Sequence, residues 1–143
     1  MTNVVRGLIF VAGLYLALVP IPASAGDAQP ALEARAVISR QLDAFARDDA
    51  AGAYALAAPS LKTVFTDRDV FMAMVRGRYA PVYRHRSVDF GAARLDGDEM
   101  AITATLVDAD NQVWNALYKL ERQSDGQWLI TSCMLIKSEQ SAL

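Results

Sequence analysis

The densest group of side chains able to do chemistry in this sequence lies in residues 76–86. This segment contains a histidine and no acidic residue. Its four arginines are Arg76, Arg78, Arg84 and Arg86. Guanidinium groups bind carboxylates and phosphates through paired, charge-assisted hydrogen bonds. The segment therefore predicts a recognition site for an anionic small molecule or for an acidic protein partner.

Two tyrosines, Tyr79 and Tyr83, are interleaved with these arginines. In an extended chain both tyrosines would lie on one side, with Arg78 and Arg84 on the other. The tyrosines could then hold the apolar part of an anionic ligand, and we expect Arg78 and Arg84 to be dispensable for folding. The alternative is an edge strand whose arginines are solvated and discourage pairing with other chains. The formal net charge of −2 argues against nucleic acid as the partner.

Aromatic residues supply a second candidate site. Trp114 and Tyr118 lie four residues apart in a segment of alternating apolar residues, so they share one face of a strand. We expect them either to form the wall of a ligand pocket or to belong to the core together with other inward-facing aromatic residues.

The residues that most often carry out catalysis are scarce. The chain has one cysteine, Cys133, and one histidine, His85. This excludes a zinc ribbon and an internal disulfide. His85, Ser87 and Asp89 would form a row along a strand, whereas a catalytic triad converges from separate segments. Residues 108–111 lack the later glycine and glutamate of a calcium loop. We therefore assign no catalytic residue, no metal ligand and no cofactor.

The first 25 residues have the pattern of a secretory signal peptide. Arg6 precedes an apolar run over residues 7–19, and Ala23-Ser24-Ala25 is a small-residue cleavage site. The run is shorter than the roughly 20 residues that span a bilayer. We predict Sec-type export, cleavage after Ala25, a periplasmic or secreted product and no stable membrane anchor. An uncleaved anchor is the alternative. A flexible leader is expected over residues 26–30.

The remaining chain predicts helices followed by strands. Helical spacing of apolar residues predicts a first helix over residues 31–47 and a second over 50–58, capped by Asp48-Asp49 and stopped by Pro59. Thr66 and Asp69 predict the start of a third helix, and Gly77 is expected to cap its C-terminal end. A chain of 143 residues with 53% apolar content is expected to form one domain.

After Gly77 the apolar residues alternate, which is typical of half-buried strands. Turn-forming residues at 96–98, 108–111 and 124–126 separate four such strands. Connections this short require antiparallel neighbours, so we predict a four-strand meander and an α+β fold with the helices on one face. Strict alternation would place Leu129, Cys133 and Leu135 on the outer face, opposite Trp128, Ile130 and Met134. An outer face this apolar predicts a homodimer.

Four segments carry a resemblance to a known fold. The ending Asp125-Gly126-Gln127-Trp128-Leu129-Ile130 resembles the closing strand of the NTF2-like superfamily. Residues 53–61, 74–84 and 114–118, together with this strand, are similar to a family of small exported bacterial proteins, domain-of-unknown-function family forty-eight sixty-four. The similarity spans residues 31–137, and residues 138–143 are expected to form a tail. The resemblance implies an NTF2-like (cystatin-like) cone, with three N-terminal helices packed on a curved antiparallel sheet.

Two functions remain open from the sequence. The first is a non-enzymatic binding or interaction module that uses the Arg/Tyr segment, with Trp114 and Tyr118 as a pocket wall. The second is a small isomerase, dehydratase or hydrolase, since NTF2-like enzymes commonly place a base inside the cone. An open cone containing a carboxylate or His85 would favour the enzyme, whereas a filled cone would favour the module.

Overall fold

The computed structural model describes residues 25–141, and the side chains of residues 26–140. The predicted signal peptide, apart from Ala25, lies outside the described residues. The helices are α1 (Ala25–Ala46), α2 (Ala50–Ala55), α3 (Pro59–Val64), α4 (Arg68–Arg78) and α5 (Ala80–Tyr83). The strands are β1 (His85–Asp96), β2 (Glu99–Asp108), β3 (Gln112–Arg122) and β4 (Trp128–Ser141). Within the described residues, no helix combines the length and apolar character needed to cross a membrane.

The four strands form the predicted meander. The sheet order is β1-β2-β3-β4 and every neighbouring pair is antiparallel. Gly97, Asn111 and Gly126, one in each predicted turn, adopt positive φ angles of 60°, 60° and 87°. Glycine and asparagine accept this left-handed conformation at low cost. The predicted α+β class, with helices packed on a curved antiparallel sheet, is confirmed.

Helix α1 packs its apolar stripe against the inner face of the sheet. Ile38, Leu42 and Phe45 are each no more than 1% exposed, as their i, i+4, i+7 spacing predicts. The helix begins earlier than expected, because the proposed leader, residues 26–30, is helical. Pro30 removes only one helix hydrogen bond this close to the start, so it does not prevent the extra turn.

Pro59 begins a helix at a place where the sequence suggested an interruption. The second helix begins after Asp49, whose carboxylate accepts a hydrogen bond from the Gly52 N–H at 2.9 Å, as predicted. It ends at Ala55, however, and Pro59 starts α3 instead of ending α2. Proline suits a first helical turn because that turn does not use its missing N–H. The described residues therefore form five helices in place of the expected three.

Helix α4 corrects the expected course of the Arg/Tyr segment. Its N-cap is Asp67 in place of Thr66, because the Asp67 carboxylate accepts hydrogen bonds from the N–H groups of Asp69 and Val70 at 2.7 and 3.2 Å. The helix continues through Gly77 to Arg78, and α5 follows immediately. Arg78 and residues 80–83 are thus helical, with Tyr79 as the break between the two helices, and the predicted strand geometry of this part of the segment is wrong. Pro81 lies in the first turn of α5, which again favours a helix start.

Strand β4 contains a bulge that changes which residues face the core. Ile130 pairs with Leu120 and Ser132 with Lys119, so Thr131 is one extra residue in β4. Cys133 and Leu135 consequently lie on the same inner face as Trp128 and Ile130, while Met134 is 58% exposed. The face assignment from strict alternation is therefore wrong beyond the bulge. The strand also runs to Ser141, so residues 138–141 of the expected tail are part of the sheet.

Candidate ligand cavity and its mouth

A cavity of about 180 Å³ lies between the helices and the inner face of β3 and β4. Its walls are mostly apolar, and they combine side chains from all of the helices except α2 with side chains from the last two strands. The lining residues are Gln41, Phe45, Leu61, Phe65, Phe71, Met74, Val75, Tyr79, Val82, Tyr118, Ile130, Ser132 and Cys133. The cone is therefore open in part, and the prediction that all of its aromatic residues simply fill the core needs this correction.

The helical wall of the cavity is a cluster of aromatic rings around Phe71. The Phe71 ring centroid lies 6.2 Å from that of Phe45, 5.6 Å from Tyr54 and 5.9 Å from Phe65. The Tyr54 hydroxyl donates to the carbonyl of Phe65, which ties α2 to the segment after α3. Tilted ring pairs at these distances are mutually favourable. The cluster gives the cavity a wall of fixed shape.

The cavity lining includes polar groups on an otherwise apolar surface. Gln41 is 5% exposed and its Nε2 donates to the carbonyl of Ala53 at 3.1 Å. Tyr118 is 1% exposed, and its hydroxyl has no nitrogen or oxygen partner among the described residues; its neighbour is the Cys133 thiol. Buried hydroxyls nearly always have a good partner, and a thiol is a weak one. The Tyr118 hydroxyl is therefore a poorly satisfied hydrogen-bonding group in the cavity lining.

Cys133 faces Tyr118 across the β3–β4 pair. Burial is the main cause that raises the pKa of the Tyr118 phenol well above its usual value and the pKa of the Cys133 thiol to about 12. Both groups are protonated at neutral pH. A nucleophilic thiolate at Cys133 would require a lowered pKa, so the structure gives no support to that role.

Arg84 and Tyr83 form a clasp with the end of α1. Arg84 Nη2 donates to both carboxylate oxygens of Asp48 at 2.9 Å, and its Nη1 donates to the carbonyl of Phe45 at 2.7 Å. The Tyr83 hydroxyl also donates to Asp48, and the Arg84 guanidinium lies 3.9 Å from the centre of the Tyr83 ring. These contacts join α5 and β1 to α1. Two members of the predicted recognition segment thus have structural partners.

The remaining arginines of the Arg/Tyr segment lie against different parts of the structure. Arg86 donates to the side-chain oxygen of Asn111 at the β2–β3 turn. The Arg76 guanidinium lies 5.9 Å from the centre of the Tyr83 ring. Arg78 has no hydrogen-bond or ion-pair partner among the described residues. The arginines of the predicted Arg/Tyr segment therefore do not form one surface, and Arg78 is left without a partner among the described residues.

Arg78 and Tyr79 lie beside the open edge of β4, at a groove of about 590 Å³. The groove is lined by Arg78, Tyr79, Ser132, Cys133, Met134 and Leu135. Tyr79, Ser132 and Cys133 also line the cavity, so the groove adjoins the cavity, and we refer to it as the cavity mouth. One arginine and one tyrosine of the predicted Arg/Tyr segment thus lie at the groove beside the apolar cavity.

Trp114 and Tyr118 do not form one wall. They share the inner face of β3, but four residues of strand separate them by about 13 Å. Trp114 Nε1 donates to the Asp108 carboxylate at 2.8 Å, and the Lys137 ammonium lies 6.0 Å from the centre of its ring. Burial tends to raise the pKa of Asp108, but the hydrogen bonds from Trp114, Gln112 and Asp110 outweigh it and lower that pKa. Trp114 therefore supports the β2–β3 turn.

Comparison with known proteins identifies the family. The sequence pattern of the family described as Domain of unknown function (DUF4864) matches residues 27–143. The chain belongs to this family. Among solved structures, the DUF4864 chain is similar to an NTF2-like protein of unknown function from Shewanella baltica OS155, with a TM-score of 0.52 and 10% sequence identity. The match covers 78% of the present chain and 96% of the other. Both the predicted family and the NTF2-like fold are confirmed. No curated protein matches the chain.

Sequence reasoning missed several residues of the cavity in this DUF4864 chain. Gln41 had a usable signal, since it is a polar residue on the apolar stripe of α1, beside Ile38 and Leu42. Cys133 had none, because only the bulge at Thr131 turns it inward. Within the described residues, no three His, Cys, Asp or Glu side chains are grouped as metal ligands would be.

Replacing Arg84 with methionine should lower the free energy of unfolding by about 1–2 kcal/mol, because both the Asp48 carboxylate and the Phe45 carbonyl lose a charged donor. The Arg84 and Asp48 side chains are 46% and 59% exposed, so the ion pair alone contributes only a small part. Urea denaturation followed by circular dichroism measures the change.

Arg122→Met is the matched control for this prediction. Arg122 pairs with Asp98 at 2.8 Å, and the two side chains are 41% and 70% exposed. Because Arg122 does not bond a helix-end carbonyl, its replacement should cost less than about 1 kcal/mol. Equal losses in the two variants would show that the clasp adds nothing beyond a surface ion pair.

Proposed function

We propose that this chain is an exported, non-enzymatic binding module that takes the apolar part of a small anionic molecule into the cavity. The observation that carries the proposal is the apolar cavity itself, with Arg78 and Tyr79 of the Arg/Tyr segment at its mouth. Ligand sites are typically concave and apolar with a few polar groups that fix orientation. The cavity has this character.

The size of the cavity limits what it can hold. An apolar cavity of about 150 Å³ accepts benzene, so the present cavity of about 180 Å³ accommodates a group slightly larger than one aromatic ring. Edge-to-face contacts with Phe45, Phe65 and Phe71 would suit an aromatic group. A long acyl chain would exceed the chamber.

The chemistry of the lining favours binding over catalysis. An NTF2-like enzyme with a base in the cone is the alternative, and it requires a carboxylate or imidazole at the reacting centre. The described residues that line the cavity include neither, and His85 lies outside it. Tyr118 and Cys133, which line the cavity, both have raised pKa values and are protonated at neutral pH.

Ligand-induced stabilisation tests the proposed function. The chain is expressed with its own leader, and the purified product is heated with and without toluene or indole. A ligand at about 100 times its Kd adds about 2.7 kcal/mol to the free energy of unfolding, so the melting temperature should rise by several degrees. An intact mass that starts at Gly26 would support the proposed export and cleavage, whereas a retained leader would contradict them.

Paired variants on β4 show whether the cavity is the site. Cys133→Phe places a ring in the cavity and should abolish the stabilisation, while Ile136→Phe, on the opposite face and outside the lining of both cavity and groove, should retain it. If Cys133→Phe does not fold, Leu61→Phe narrows the same chamber from a half-buried position on α3. No stabilisation of the unaltered protein, or equal stabilisation of the filled variant, would contradict the proposal.

We also propose that two copies meet through the outer face of the sheet. Met134 and Ile136 are 58% and 60% exposed, and Met134 pairs with Leu117 on the same face. Clustered exposed apolar side chains of this kind mark interfaces. Light scattering at micromolar concentration should report a dimer, which Ile136→Lys should dissociate and Val70→Lys on α4 should not. A monomer in the unaltered protein would reject the dimer.

A further inference from the structure

We propose that the molecule held by the cavity is a small aromatic carboxylate that carries a second hydrogen-bonding group at its buried end. This inference rests on the proposed function and specifies its ligand class. It follows from two polar groups, one inside the apolar chamber and one beside it. Tyr118 lines the cavity, and Arg78 lines the adjoining groove.

Inside the cavity, Tyr118 requires a polar partner. Its buried hydroxyl has no partner among the described residues apart from the Cys133 thiol, although burying a poorly bonded hydroxyl is unfavourable. The cross-strand neighbour Cys133 offers only a weak donor and acceptor. A ligand hydroxyl or carbonyl at this depth would satisfy the phenol, whereas a purely apolar group would leave it unpaired. The cavity should therefore select substituted rings over plain ones.

The mouth requires a negative charge. Arg84 is held by Asp48 and the Phe45 carbonyl, and Arg86 is held by Asn111. Arg78 differs, since it is exposed and borders the groove without a partner among the described residues. An arginine in the last helical turn also offsets the helix dipole, but that role leaves its planar donors available. Carboxylates match those donors through paired hydrogen bonds.

One molecule can reach both polar groups because the groove and the cavity adjoin. Tyr79, Ser132 and Cys133 line both spaces. The chamber admits little more than one aromatic ring, which places the carboxylate outside the cavity and within the groove. A ring with a polar substituent at one end and a short acid at the other satisfies all of these conditions.

The test uses probes that differ at one end only. Calorimetry first compares 4-hydroxybenzoate, 4-hydroxyphenylacetate and 3-(4-hydroxyphenyl)propanoate, which vary in the distance between the two groups. The tightest of these is then compared with its analogue lacking the hydroxyl and with its neutral amide. The unaltered protein should prefer the hydroxylated acid over the plain acid by about tenfold, and over the amide by about fivefold.

Two variants assign each preference to a residue. Tyr118→Phe should remove the preference for the hydroxyl and keep the preference for the acid, while Arg78→Met should do the reverse. Tyr83→Phe and Arg68→Met, which alter a bonded tyrosine outside the cavity and an exposed arginine at the other end of α4, should change neither preference.

The outcomes separate this inference from the proposed function. The first outcome is that indole and all of the acids bind, that Cys133→Phe abolishes their binding, and that neither preference depends on Tyr118 or Arg78. In that case the ligand class is wrong while the binding function holds. If no probe binds the unaltered protein, the proposed function itself fails. Loss of the hydroxyl preference in Tyr118→Phe and of the acid preference in Arg78→Met supports the inference.

Discussion

Replacing Phe45 with alanine should lower the free energy of unfolding by about 3–5 kcal/mol. Phe45 is 1% exposed and its ring lies 6.2 Å from Phe71 and 6.5 Å from Tyr83. Its carbonyl also receives the Arg84 hydrogen bond. The alanine variant loses these ring contacts and enlarges the existing cavity, which the aromatic cluster cannot close. Domains of this size have only about 5–15 kcal/mol of stability in total.

Urea denaturation measures this loss, and an unchanged m value confirms that the transition remains two-state. Phe90→Ala is the control, because Phe90 lies half-buried on β1 and packs at the margin of the core. Its replacement should cost less than half as much. A loss at Phe45 below about 1.5 kcal/mol, in the range of ordinary substitutions, would contradict its central place in the core.

Tyr118→Phe should have the opposite effect on stability and raise the free energy of unfolding by about 1–2 kcal/mol. Leaving a buried hydroxyl without a partner costs about 1–3 kcal/mol, and phenylalanine keeps the ring while removing that cost. Most substitutions in a core destabilise, so a gain here is a specific expectation. It arises from the same unpaired hydroxyl that we assign to ligand recognition.

Tyr54→Phe is the matched control for this gain. The Tyr54 hydroxyl donates to the Phe65 carbonyl, so its removal leaves that carbonyl short of a donor and should cost about 1 kcal/mol. The two tyrosine variants should thus move the denaturation midpoint in opposite directions. A loss of stability in Tyr118→Phe would show that its hydroxyl has a partner in solution and would remove the argument for a polar ligand group.

The sheet was the most predictable part of the fold because its signals are local. Gly97, Asn111 and Gly126 each lie in a turn that the sequence marks, and the short connections require antiparallel neighbours. The inward positions Ile102, Leu106 and Tyr118 also follow from alternation along regular strands. The DUF4864 and NTF2-like resemblance depended on two of these strands and on residues 53–61 and 74–84.

The helices and the site were harder to predict because they depend on distant contacts. Pro59 was expected to end the second helix, yet it lies in the first turn of α3, a short helix whose position depends on packing against the sheet. The backbone of Ala58 bonds the carbonyl of Ile130 at 2.8 Å, a contact that no local pattern shows.

The Arg/Tyr segment shows the same limit. Its residue types correctly indicated a charged surface, but Asp48, which lies 36 residues before Arg84, decides that this arginine is structural. Arg78 remains available only because no comparable carboxylate reaches it within the described residues. The composition of a segment therefore predicts the chemistry it can do, while tertiary neighbours decide which member does it.

The bulge in β4 also determines how this strand can change in length. Because Thr131 is the one unpaired residue between Ile130 and Ser132, its deletion would restore a regular ladder and leave Cys133 and Leu135 facing inward. Deleting Met134 instead would turn Leu135 outward and Ile136 into the core. Homologues whose β4 is one residue shorter should therefore have lost the bulge position itself. Thr131 is thus the position where a deletion in β4 leaves the cavity wall unchanged.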